Sequence, residues 1–463
     1  MKRDLPRDFL TPVIAIRLSR EELFVFIKEG NYPMPPLKVS FTNLSNQEDV
    51  WIGFLAESLN IKNLADRSPI EPLAEGRWYS LAELSQGVSV TSFSGRIYVA
   101  YGVPWTVEYP GYEPGQTPVD PNFYLRYDKM EMTFTGQSAD VADLTSIDYW
   151  SIAMTLNTYY SGTPVQTVAG LLGSYTATDL YNALNALTTP PKSGLTGPSG
   201  PDGAPLPALV PGEYVQFPGG PLPGKAFARI IGPGAYASIT PAGIPVQPYD
   251  LFSEYLQYLL TTFGPGTGTS VISGLGNGVI AKIQGQFAGV GPNPPPSGPR
   301  SPQFYDLNAT IDTELNITLT GTCGEGAITM LYTITDLQNP SGIYGANAPF
   351  YLTLADGPVY TTPDNDVYGW ISGDLFAGIN AGLLGSQELG GLPSQDWFDC
   401  SPAQLFGSLQ SNPLYYNQWA ATLSQYSNAY NFAFSDRFAP VFASLDPAKV
   451  NALEIVLEPD VSL

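Results

Sequence analysis

The chain contains no histidine. That removes Ser-His-Asp and Cys-His nucleophilic catalysis and every metal site built on imidazole. Carboxylates, Lys, Tyr, Ser and Thr are left for proton transfer. Cysteine is nearly absent too. Cys323 and Cys400 alone cannot build a zinc finger, and sequence spacing does not decide whether they pair. Charge is scarce, with charged residues at 13% against about 25% in an average domain. Basic residues are the scarcer sign: 20 Lys and Arg stand against 42 Asp and Glu, a net charge of −22. Nucleic acid and anionic membrane surfaces require basic patches, so neither is expected as a partner. No run reaches the ~20 apolar residues of a transmembrane helix. The opening MKRDLPRDFL lacks the apolar core of a signal peptide, which fits a cytoplasmic location, another export route or a removed leader. No metal cluster or internal repeat is visible. GPGTGTS at 264–270 lacks the Lys and spacing of a phosphate-binding loop, so no cofactor and no metal is expected.

What the chain does have is length, apolar residues and turn formers. At 463 residues two domains are expected, and 43% hydrophobic residues supply sizeable cores. The 47 glycines, 44 prolines and 28 tyrosines describe a loop-rich, mainly β protein whose surface is polar but weakly charged. Such a surface suits neutral ligands such as sugars. Residues 13 to 55 read as strands (VIAIRLS, ELFVFIK, LKVSFTN, VWIGFLA), and SGRIYVAYGV as another. Trp105 to Asn122 is an aromatic Pro/Gly loop carrying Glu108, Glu113 and Asp120. LNTYYSG, TVAGLLGSY, FARIIGPG and DLNATIDTELNITLTGT continue the strand pattern. Helices are expected over Thr178–Leu187, Pro248–Phe263, around SGDLFAGINAGLLG, and over Pro413–Ser427 with Asn412 as its cap. Residues 190–224 read as a Pro/Gly-rich surface insertion.

The stretch with the most chemistry is Tyr127 to Met154, YDKMEMTFTGQSADVADLTSIDYWSIAM. Strand alternation puts Met130, Met132 and Phe134 on one face and Glu131, Thr133 and Thr135 on the other. A second run holds Asp148 beside Tyr149 and Trp150, with Thr145 before it. Two carboxylates in an aromatic-rich cleft suit hydrolysis of a glycosidic bond: one protonates the leaving oxygen, and the other activates water or attacks carbon. Ordinary solvated strand residues fit the same pattern. Ideal alternation also places Asp148 with Trp150, Ile152 and Met154 on the core side, so a bend near Asp148 is needed.

These residues resemble the catalytic segment of glycoside hydrolase family 64, the laminaripentaose-producing β-1,3-glucanases. The likeness lies in Tyr127-Asp128-Lys129-Met130-Glu131-Met132-Thr133 and in Thr145-Ser146-Ile147-Asp148-Tyr149, and it extends over most of the chain. It implies a thaumatin-like β-barrel packed against a mixed α/β domain with a wide groove between them. The barrel would comprise 1–165 together with 428–463, and the α/β domain 166–427. It implies an inverting β-1,3-glucanase in which Glu131 is the general acid and Asp148 the general base, with Thr133, Thr145, Tyr149 and Trp105 contacting the sugar. The partner would be β-1,3-glucan, the protein a monomer, and its setting extracellular. Asp128, Asp140 and Asp143 are the nearest substitutes for the base. Near the C-terminal end NFAFSDRF resembles the family's Tyr-x-Phe-x-Tyr-Asp-Asp segment, with Ser435 and Arg437 departing from it. The alternatives are a glucan-binding protein without catalysis, which needs neither acid, and a structural or adhesive β protein.

Overall fold

The computed structural model describes residues 35–463 except 107–112, 116–119, 121, 123–124, 188–228, 235–251, 273–277, 288–302, 346–349, 355–356, 362–366, 387–390, 398–399, 401–404, 407–411, 439–440 and 463. The expected strands at 13–28 and the insertion at 190–224 lie outside these residues. The alternation read from the sequence builds the first sheet. Its strands are β1 (Leu37–Asn43), β2 (Val50–Asn63), β3 (Tyr79–Ser80), β4 (Val88–Tyr101), β5 (Arg126–Phe134) and β6 (Val141–Leu144). A two-residue β7 (Tyr149–Trp150) follows, then β8 (Met154–Tyr160) and β9 (Thr163–Ala169). β10 (Ile230–Ile231) pairs with β7 in a separate two-stranded sheet.

The second sheet is an antiparallel meander in chain order. It comprises β11 (Val279–Phe287), β12 (Gln303–Ile311), β13 (Ile317–Cys323), β14 (Gly326–Tyr332), β15 (Phe350–Leu354) and β16 (Gly357–Thr361). The chain then returns to the first sheet with β17 (Phe442–Ser444) and β18 (Ala452–Leu457). The first sheet runs β17-β6-β5-β4-β1-β18-β8-β9, with β2 on β4 and β3 on β2, ten strands in all. β18 lies between β1, to which it is parallel, and β8. The sheet curls until its two edges meet. There Gln166 on β9 donates to the Phe442 carbonyl of β17 at 2.7 Å and accepts from the Ser444 N–H at 3.0 Å. The result is a mainly β molecule with a nearly closed, barrel-like sheet.

Met130, Met132 and Phe134 fill the barrel interior with Val88, Val90, Ile97, Val99, Leu453 and Ile455. A separate apolar core joins the inner face of the meander to four helices: α1 (Ala177–Ala186), α2 (Ser253–Phe263), α3 (Val367–Ala381) and α4 (Gln418–Tyr426). α3 is mainly apolar and buried almost all round, and its buried Ser372, Asp374 and Asn380 are hydrogen-bonded.

Two helix expectations shift. Thr176, rather than a later Thr, caps α1 by accepting from the Asp179 N–H. The segment 413–427 is not one helix. A 3-10 turn over Pro413–Tyr415, capped by Asn412, is followed by extended Tyr416 and then α4, whose cap is Asn417. Asn417 competes successfully because its side chain accepts from the Ala420 N–H and donates to Asn380. WYSLAELSQ contributes β3 and turns. Cys323 and Cys400 are both free.

Candidate active site

The outward face of β4 and β5 changes character along its length. Antiparallel pairing sets Tyr98 opposite Lys129, Arg96 opposite Glu131 and Ser94 opposite Thr133, and β6 adds Asp143 opposite Glu131. Directly paired residues share a face. One end of this face is aromatic: Tyr98, Tyr127, Tyr149, Trp78 and Trp105 form a buried cluster, packed edge-to-face with Trp105 4.6 Å from both Tyr98 and Trp78. The buried Arg229 guanidinium lies 4.2 Å over the Tyr127 ring and donates to the Leu125 carbonyl. The other end is charged.

The charges form one continuous network. Asp148 accepts from the Lys129 ammonium at 2.8 Å, and Lys129 also reaches Glu113 at 3.3 Å. Glu113 pairs with Arg96, whose Nε donates to Glu131 at 3.0 Å. Lys129 is only 3% exposed, whereas Glu131 and Asp148 are 38% and 40% exposed. Lys129 is thus beneath, Arg96 is partly exposed beside Glu131, and the two carboxylates reach solvent. Burial alone would pull the Lys129 ammonium down, but Asp148 and Glu113 outweigh it and hold the charge more firmly than usual. Arg96 follows the same logic with Glu113 and Glu131. Burial pushes the Glu113 carboxyl up, yet Lys129 and Arg96 together carry it below the ordinary range.

Asp148 stands outside the barrel core because the chain bends at Ile147 and Asp148. Five hydrogen bonds fix that bend. The Ser146 N–H donates to the Tyr430 carbonyl at 2.9 Å, and the Trp419 indole of α4 donates to the Ser146 carbonyl at 2.9 Å. The Gly232 N–H donates to the Asp148 carbonyl at 2.6 Å. Just past the bend, the Ser151 and Ile152 N–H groups donate to one oxygen of Asp128 at 2.7 and 2.9 Å. After the bend Tyr149 joins the aromatic cluster, Trp150 the helical core, and Ile152 the barrel interior. Simple alternation therefore fails for this stretch.

The remaining candidates separate by burial. Thr133 is half-buried beside Glu131, its hydroxyl 3.2 Å from that of Ser94. Thr145 is 9% exposed and bridges to Tyr430. Trp105 and Tyr149 are 2% and 1% exposed, so neither ring offers a face to solvent and both support the site from below. Asp128 and Asp140 are structural. Asp128 is buried against three backbone N–H groups, and Asp140 closes the β5–β6 turn by accepting from the Thr135, Gly136 and Gln137 N–H groups. Asp143 does sit on the site's face. Tyr109 and Tyr112 of the aromatic loop lie outside the described residues. Arg96 and Lys129 were given no role from sequence, and Glu113 was noted only as one of three acids on the aromatic loop. The signal that marks the first two is their place on the outward face of the paired strands β4 and β5, the face that bears Glu131. Among the described residues no group of acidic side chains and cysteines is arranged to hold a metal.

No protein-family model matches the chain, and no curated protein sequence matches it either. Solved structures do. A laminaripentaose-producing β-1,3-glucanase in complex with laminaritetraose matches with a TM-score of 0.53 at 16% identity, over 92% of this chain and 99% of that one. A β-1,3-glucanase domain of glycoside hydrolase family 64 from Clostridium beijerinckii matches at 0.49 and 13% identity, over 92% of this chain and all of that one. The chain has the fold of a laminaripentaose-producing β-1,3-glucanase.

Proposed function

We propose that the protein is an inverting glycoside hydrolase acting on β-1,3-glucan, with Glu131 as general acid and Asp148 as general base. The observation that carries this reading is the convergence of two partly exposed carboxylates on one face of β5, on a fold shared with a β-1,3-glucanase. Lys129 and Glu131 are two residues apart on that face, about 6.6 Å, and Asp148 sits on the Lys129 ammonium. An inverting reaction needs a water held between acid and base. Asp148, ionised by Lys129, takes a proton from this water as it attacks the anomeric carbon. Glu131 gives its proton to the departing oxygen on the other face of the sugar. Thr133 and Thr145 would contact the sugar through their hydroxyls. The ten-stranded sheet would form one domain, thaumatin-like in topology, and the meander with its helices the other, with the glucan lying in a groove between them. We further take the enzyme to be monomeric and extracellular.

The test is hydrolysis of linear β-1,3-glucan by the wild type, Glu131→Gln and Asp148→Asn, with the product anomer followed by NMR. Initial release of α-anomers, lost in both variants, is the expected result. Binding of glucan without cleavage by the wild type would make this a glucan-binding protein and remove the catalytic reading.

A further inference from the structure

A general acid must hold a proton, and the Arg96 guanidinium 3.0 Å from Glu131 works against that. The loop between β4 and β5 contains the compensation. Glu113 reaches both cations of the network, Arg96 and Lys129. It is placed there by its own loop: the Gly115 N–H donates to Asp120 at 2.8 Å, Asp120 accepts from the Asn122 N–H, and Asn122 pairs with both backbone groups of Thr106. Glu131 faces Arg96 from β4, Lys129 from its own strand and Asp143 from β6, with Ser94 and Thr133 the neutral neighbours. Glu113 faces Arg96, Lys129, the buried Tyr98 hydroxyl and Asp148. Two cations are therefore set among four carboxylates.

We propose that Glu113 is a third functional carboxylate of this site, one that draws the charge of Arg96 and Lys129 away from Glu131 and so lets Glu131 carry its proton. It is a positioning residue: it acts through the two cations. The proposal rests on the acid role assigned to Glu131. With Glu113 present the charge of Arg96 and Lys129 is shared among four carboxylates, so less of it falls on Glu131. Without Glu113, Arg96 turns its whole charge on Glu131, which then ionises at lower pH and cannot protonate the leaving group.

The experiment compares wild type, Glu113→Gln, Glu113→Asp and Arg96→Gln by two readouts. One is the pH profile of kcat and KM on β-1,3-glucan. The other is the 13C titration of the Glu131 carboxyl in glutamate-labelled protein, assigned by its loss in Glu131→Gln. An opposite charge nearby moves a carboxyl by about 1–3 pH units, and Glu113 releases part of that. In Glu113→Gln the Glu131 titration and the basic limb of the profile are expected to fall together by about one unit. Above that limb kcat drops roughly tenfold, while KM changes less than about twofold. Glu113→Asp restores most of the wild-type profile, and Arg96→Gln moves the Glu131 titration upward. Loss of activity with an unmoved Glu131 titration would overturn the proposal, leaving Glu113 a prop for its loop. Should the wild type cleave no glucan, the catalytic reading falls by itself, and the NMR titration still decides the charge balance.

Discussion

Asp128 supports the bend that carries Asp148, and replacing it separates two effects that are usually mixed. Its carboxylate is 3% exposed and receives the N–H groups of Lys129, Ser151 and Ile152. Asp128→Ala leaves at least two of these donors buried without an acceptor. At about 1–3 kcal/mol for each, a loss of roughly 4 kcal/mol is expected. Asp128→Asn keeps one oxygen for Ser151 and Ile152 and should cost less, about 1–2 kcal/mol. The pH dependence then distinguishes the aspartate from the amide. Burial raises the Asp128 carboxyl from 3.8 to about 6, against the pull of its hydrogen bonds. Below 3.8 both folded and unfolded chains hold the proton. Between 3.8 and 6 the unfolded chain releases it while the folded one keeps it, so stability falls as pH rises. The full fall is about 3 kcal/mol above pH 6, and it is absent from Asp128→Asn. Urea unfolding of wild type and Asp128→Asn at pH 4 and pH 7 should therefore show the gap between them narrowing or reversing at the higher pH. Glucan hydrolysis by either variant should fall, because Ser151 and Ile152 follow directly on the Asp148 bend. Parallel pH curves, or an Asp128→Ala protein as stable and active as wild type, would refute the reasoning.

Two further substitutions probe the same bend and its charge. A Cβ on Gly232 would lie 2.5 Å from the Ile147 carbonyl and 3.1 Å from the Trp419 ring. Gly232→Ala should thus cost about 1–3 kcal/mol in urea unfolding and lower kcat by displacing Asp148. A variant with wild-type kcat would show that the bend tolerates the shift. Lys129→Met removes the buried partner of Asp148. Breaking a buried pair costs about 3–5 kcal/mol, but Asp148 is 40% exposed and Glu113 keeps Arg96, so about 2 kcal/mol is expected. Unchanged urea stability would mean that Lys129 contributes nothing by its charge.

The sequence was informative where one physical rule dominates. Met130, Met132 and Phe134 alternate against Glu131 and Thr133, and the strand they predict is β5, with its apolar side in the barrel interior. The hairpin of β12 and β13 and the apolar α3 were legible for the same reason. The bend at Asp148 was demanded by parity, but its supports were not visible, since Gly232, Trp419 and Tyr430 come from distant parts of the chain. Arg96 and Lys129 were overlooked because a cation on a strand's outer face looks solvated until its partners are placed. Trp105 and Tyr149 were expected to contact the sugar, yet aromatic rings also attract one another, and here both pack edge-on against Tyr127. The break before α4 was missed because Asn412 and Asn417 are equally good caps by residue type.

The parallel neighbours β1 and β18 are more than 400 positions apart in the chain. This pairing has a consequence for how the protein is made. A pair so distant must pay a large loop-closure entropy before any contact rewards it, and a topology rich in such contacts folds slowly. The meander, whose strands follow one another directly, has no such delay and can assemble while the rest of the chain is still being synthesised. The ten-stranded sheet cannot, because β18 occupies the slot between β1 and β8. Until residues 452–457 emerge from the ribosome, β1 and β8 present unpaired edges. The nascent chain is therefore exposed to misassociation through these two strands until the last one arrives.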